Sequence, residues 1–185
     1  MIAPAMPTSP SLIDHYRAFA RYNERFNRQL YDVVAELGDD ERSRDLGAFF
    51  GSVDRTLHHI LQADRIWLSR FRTAGFDFPA LEEAELEYGV QGLAPGSTPA
   101  FDTLRRERVA LDQVILAWIE DLDDEVLGAT LRYTNMAGTT REHALWIAIS
   151  HLFNHQTHHR GQVTTLLKQL GRDVGVTDFL VFALG

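Results

Sequence analysis

Four long stretches of this chain carry apolar residues at alternating three- and four-residue intervals, a spacing that gathers them on one face of an α-helix. The first runs over residues 10–37, with Tyr16, Phe19, Phe26, Leu30, Val33, Val34 and Leu37 on the apolar side. Ser11 is its expected cap and Gly38 its stop. The second covers 45–72 and includes Leu46, Phe49, Phe50, Val53, Leu57, Ile60, Leu61, Leu68 and Phe71. A third spans about 97–121, opened by Ser97-Thr98-Pro99, and a fourth spans 141–170, closed by Gly171. Four such helices predict an all-α four-helix bundle, a fold whose metal and cofactor sites are built from side chains on facing helices. At 185 residues and 21.0 kDa a single domain over 1–185 is expected.

Residues 73–98 are punctuated by Gly75, Pro79, Gly89, Gly92, Pro95 and Gly96, so a long link is expected between the second and third helices. Residues 130–134 and 139–140 flank Asn135-Met136-Ala137-Gly138, which predicts a small hairpin, and the apolar tail 177–184 should pack back on the helices. Trp67, Trp118 and Trp146 are assigned to the core. Gly161, inside the fourth helix, suggests close approach of a neighbouring backbone.

The chemistry concentrates in the fourth helix. Four of the eight histidines, His151, His155, His158 and His159, fall within nine residues. Positions four apart share a helix face, so His151, His155 and His159 form a ladder of imidazoles. Adjacent rungs can chelate one ion, whereas the outer two are separated by about 12 Å of helical rise. Spacing alone does not choose between the pairs 151–155 and 155–159, and His158 is also one turn from His155. A pair does not close a transition-metal site, and His58 or His59 on the second helix offers the third ligand.

Two runs together, TLHHILQADRIWLSRF and HLFNHQTHHRGQVTTLL, resemble the DinB family, the bacterial DinB/YfiT-like proteins grouped as candidate metalloenzymes. ARYNERFNRQL near the start, YTNMAG at 133–138 and TDFLVF at 177–182 extend the similarity over most of the chain. The translesion polymerase that shares the name is a different protein. The resemblance implies an up-down-down-up order with 73–98 as the crossover. It also implies a metal ligand set of His59, His155 and His159, with His58 outside the set as a supporting or surface residue. Asn23 and Asn27 read by themselves as surface residues, whereas the resemblance implies that at least one supports the pocket. It further implies a homodimer, and a reaction on a small-molecule substrate with a low-molecular-weight thiol as cosubstrate, since relatives include thiol-dependent transferases and isomerases.

Three neutral imidazoles describe an open site with room for water or substrate. Zinc or nickel are the leading ions, with iron or cobalt also compatible with imidazole. Gln156, Thr157 and His158 separate His155 from His159, so the glutamate of a zincin HExxH motif is missing and a protease is disfavoured. Asp64, Asn154, Gln162 and Glu142 are the candidate partners for the ligands' free ring N–H groups. For Asp64 the favoured reading is a surface pair with Arg65 or Arg160. A hydrolase, a non-catalytic metal-binding stress-response module and a structural homodimer with incidental histidines are the competing functions.

Composition removes several classes. There is no cysteine, which excludes disulfides, thiolate ligands and a cysteine nucleophile. The formal net charge of −8 and the absence of a basic stripe disfavour nucleic acid as a partner. No apolar run reaches the roughly 20 residues of a membrane span, so no membrane association is expected. The first ten residues lack the basic and apolar regions of a signal peptide, and a cytoplasmic location follows as an expectation.

Overall fold

The computed structural model describes residues 11–84 and 98–184. The expectations for the first ten residues, for Ser97 at the opening of the third helix and for the middle of the 73–98 link lie outside the described residues. Within them the protein is predominantly helical, with one two-stranded sheet. Four long helices dominate: α1 (Leu12–Val34), α3 (Val53–Thr73), α5 (Phe101–Glu120) and α7 (Leu145–Gln169). Shorter helices are α2 (Asp39–Ser43), α4 (Pro79–Glu83), α6 (Asp124–Gly128) and α8 (Phe179–Leu184). β1 (Thr130–Thr134) and β2 (Thr140–Ala144) pair antiparallel, Leu131 opposite His143 and Tyr133 opposite Arg141.

α1 starts as its sequence signals. The Ser11 hydroxyl accepts from the Asp14 amide and the Asp14 carboxylate accepts from the Ser11 amide, a reciprocal capping box. The second long helix is shorter than its periodicity suggested, beginning at Val53 rather than residue 45. Gly47 and Gly51 adopt positive φ, 75° and 82°, which no continuing helix permits, and Leu46 donates its amide to the Gly51 carbonyl. Residues 44–52 are therefore a tight loop, Phe49 is 86% exposed, and Ser52 caps α3. The fourth helix likewise starts at Leu145 rather than 141. The Asn135 side chain accepts from the amides of Ala137 and Thr139, closing the hairpin turn and drawing 140–144 into a strand.

α1 lies against α5 and α7, and α3 lies against α7 and α5, so the apolar faces meet in one core. Trp118 is fully buried and stacks on Phe71 with ring centres 4.8 Å apart. Trp67 is only half-buried, packed against His151 of α7, and Trp146 is 43% exposed, so neither is a core residue. The tail packs back as expected: Phe179 on α8 sits 4.7 Å from Phe19 and 5.2 Å from Tyr22 of α1. Among the described residues no helix is long and apolar enough to cross a membrane.

Gly161 does not mark a close backbone approach. A methyl group placed there would meet nothing within 4 Å, and the position is exposed on a regular helix. Gly161→Ala is therefore expected to stabilise the protein by roughly 0.5–1 kcal/mol through the lower entropy of the unfolded chain. A rise in the urea midpoint at unchanged slope checks this.

Candidate metal centre

The contact between α3 and α7 brings His59 together with His155 and His159. The Nε2 atoms of His59 and His155 are 3.1 Å apart, and ring nitrogens of all three residues lie within 4.8 Å of one another. Two nitrogens bound to one tetrahedral zinc at about 2.0–2.1 Å would be roughly 3.3 Å apart, so this spacing suits a shared cation. His159 Nδ1–H donates to the Gln162 carbonyl oxygen at 2.8 Å, which sets the tautomer and leaves Nε2 with its lone pair. The His155 Nδ1 is buried without a partner among the described residues. Phe50, carried in by the 44–52 loop, covers one side. Its ring stacks on His59 at 4.0 Å and meets the edge of His159 at 5.5 Å.

Proton affinity is suppressed throughout the cluster. Burial lowers the His59 pKa to about 4, with His159 and His58 adding repulsion. Burial and the neighbouring imidazoles lower His155 to about 3, and burial also lowers His159. Neutral imidazoles present lone pairs, the state in which they ligate metals. The same shifts govern the metal-free protein's stability. A histidine depressed in the folded state takes up more protons when unfolded, so the stability present above pH 6.5 drains away as pH falls through about 4 and then 3. Denaturant midpoints of metal-free protein should therefore drop on acidification below pH 6.5, and a flat profile would contradict the burial of these rings.

The remaining histidines stand apart. His151, one rung above, sits 5.8 Å from His155 between ring centres and packs on Trp67 at 5.1 Å. His158 is exposed and 3.3 Å from the Gln162 amide nitrogen. His58 is not a surface residue: it is 7% exposed and accepts from Gln62 at 3.1 Å, away from the triad. Of the four residues considered as partners for the ligands, only Gln162 touches a triad ring. Asn154 is exposed, and Glu142 pairs with Arg132 on the hairpin.

Asp64 overturns its surface reading. It is fully buried and accepts from Arg108 on α5 and from Gln156 on α7 at 2.7 Å, while Arg65 pairs with Glu107 instead. Asn23 and Asn27 are buried as well. Both donate to Asp112, and their carbonyl oxygens accept from Arg160. Arg108 closes the chain on Asp112 at 2.8 Å. This network of two carboxylates and two guanidiniums ties all four long helices together. Gln156 and Arg160 are the residues directly after His155 and His159, so each helix position that faces the triad is followed by one anchored in the core. Phe50 and this network escaped sequence reasoning. The ADR and NHQTHHR runs hold the network's polar residues Asp64, Gln156 and Arg160, all of them buried.

The DinB family profile matches residues 6–184. Protein DinB of Bacillus subtilis (strain 168) is 25% identical over 159 residues, covering 85% of this chain and 87% of that protein. The crystal structure of a DinB-like protein from Bacillus cereus ATCC 10987 aligns with a TM-score of 0.60 at 25% identity, over 84% of this chain and 91% of the other. A profile match over nearly the whole length, joined by a shared fold and by histidines gathered where the sequence motifs placed them, makes the chain a member of the DinB family.

Proposed function

We propose that His59, His155 and His159 hold a divalent transition metal, zinc or nickel before iron or cobalt, and that the protein is a metal-dependent enzyme acting on a small molecule. The observation that carries this reading is the convergence of three neutral imidazoles from two helices, with the His59 and His155 nitrogens 3.1 Å apart. A metal held by these three imidazoles would supply Lewis acidity, lowering the pKa of an incoming thiol or water. The protein itself has no cysteine, so in a thiol-dependent transfer the sulfur nucleophile comes from a low-molecular-weight cosubstrate; in a hydrolase it is water. Gln162 holds the His159 ring by its Nδ1–H, and Phe50 shields His59 from solvent on one side. A cleft lined by Leu46, Phe49, His158 and Gln162 offers room for a small molecule next to Gln162, the residue that holds the His159 ring.

A non-catalytic metal-binding module is the second reading, favoured by one observation: among the described residues no carboxylate bonds to a triad imidazole or stands in reach as a base. The test has two arms. Metal analysis of purified protein should find one equivalent per chain, and its absence under any loading condition overturns the metal reading. Metal-loaded protein is then screened against small electrophiles with several bacterial thiols, and against esters and amides without them. Turnover supports the enzyme, and none under any metal favours the module. The same reading takes the chain as one domain over 1–185, the four long helices as an up-down-down-up bundle, and the protein as a cytoplasmic homodimer that binds neither nucleic acid nor membrane.

A further inference from the structure

Beyond the triad, beside the α3–α7 contact, stands a half-buried cation with no anion among the described residues. The Arg70 guanidinium carbon lies 4.6 Å from the Trp67 ring centre and 4.6 Å from that of Tyr133 on β1. These rings are 5.3 Å apart and inclined at 67°, so they form a corner that fixes the guanidinium. Arg42, Arg65 and Arg108, the arginines whose side chains are sheltered and ion-paired, each reach a carboxylate. Among the described residues nothing accepts from Arg70. Stacking engages the face of a guanidinium and leaves its N–H edge for a ligand. Arginine stays charged even where, as here, burial lowers its pKa.

The corner is continuous with the triad. His151 packs on Trp67 at 5.1 Å and lies 5.8 Å from His155, so a run of neighbouring rings joins one place to the other. Along α3 the eleven residues from His59 to Arg70 rise about 16 Å, the length of an extended small molecule plus the arginine's own reach. One planar fork with a single charge matches one carboxylate bidentately. A protein with net charge −8 disfavours more highly charged anions.

We propose that Arg70, set between Trp67 and Tyr133, binds a carboxylate at the far end of an elongated small-molecule substrate whose reacting end meets the histidine triad. The binding of the carboxylate stands on the corner's geometry, whereas the bridging to the triad rests on its reading as a metal centre. The experiment separates the two. In 15N-labelled full-length protein without metal, the Trp67 indole N–H signal is followed while acetate or suberate is added. Both should shift it saturably. Arg70→Ala should abolish the response, and Arg70→Lys, which keeps charge but not the fork, should weaken it roughly tenfold, the scale of a charge-assisted bidentate contact. Arg132→Ala, an exposed arginine on the same strand, should change nothing. With zinc added, suberate should gain about tenfold or more over acetate, because only a molecule with two carboxylates can hold both ends.

Failure to saturate, or an equal response in wild type and Arg70→Ala, overturns the subsite. Tighter binding of inorganic phosphate than of either carboxylate overturns its assignment to carboxylates. An Arg70-dependent response without any gain from zinc keeps the subsite and overturns the bridging. Should Arg70→Ala misfold, the Lys variant decides alone.

Discussion

His155→Ala should yield a protein that remains helical but no longer binds a divalent transition metal at the proposed site. His155 is the middle rung of the ladder and the ring whose Nε2 meets that of His59 at 3.1 Å, so its removal leaves two nitrogens on different helices. Structural zinc sites with four ligands bind with about 10–16 kcal/mol, or roughly 3 kcal/mol per ligand, which makes the loss more than a hundredfold in affinity. Competition with a chromophoric chelator reads that loss directly, and far-UV circular dichroism checks the fold. His151→Ala is the informative partner. Its ring leans on Trp67 one turn away, so metal binding should survive. A protein that loses metal with His151→Ala and keeps it with His159→Ala would reverse the choice of rungs.

The second large effect lies in the core. Asp64→Ala should destabilise the protein by about 3–5 kcal/mol, because it strands a buried guanidinium rather than removing a self-contained pair. Arg108 would keep only Asp112, and the Gln156 amide would lose its acceptor. Against a total stability of roughly 5–15 kcal/mol this is a substantial share, and a marked fall in the urea midpoint should report it. Asp64→Asn keeps an acceptor for Gln156 and should cost less. Replacing Asp64 and Arg108 together by apolar residues of similar volume should cost less than the single change, since the desolvation of both charges then disappears. If the double variant is as unstable as the sum of the singles, the two side chains do not act as a pair.

Much of this protein can be read without coordinates. The stretches around Leu30, Leu57, Leu111 and Leu152 declare helices because helical periodicity is a local property, written in residues three and four apart. The ladder of His151, His155 and His159 follows from the same geometry, and the lack of cysteine confines the chemistry to imidazole and carboxylate. Local signals misled where a few residues outvoted the pattern. Gly47 and Gly51 turned the apolar run at 46–50 into a loop, and Asn135 drew residues 140–144 into a hairpin.

The sequence by itself determined four long helices, one histidine-rich face and an inventory of donors that suits a borderline metal. Spacing left the choice of rungs open and the family resemblance alone named His155 and His159; that they meet His59, that Phe50 covers the site and that Asp64 turns inward to Arg108 belong to the tertiary structure. The reason is physical. The rotation of one helix about its axis relative to another is set by the packing of every apolar side chain between them, together with the buried polar network. No window along a single helix carries that information.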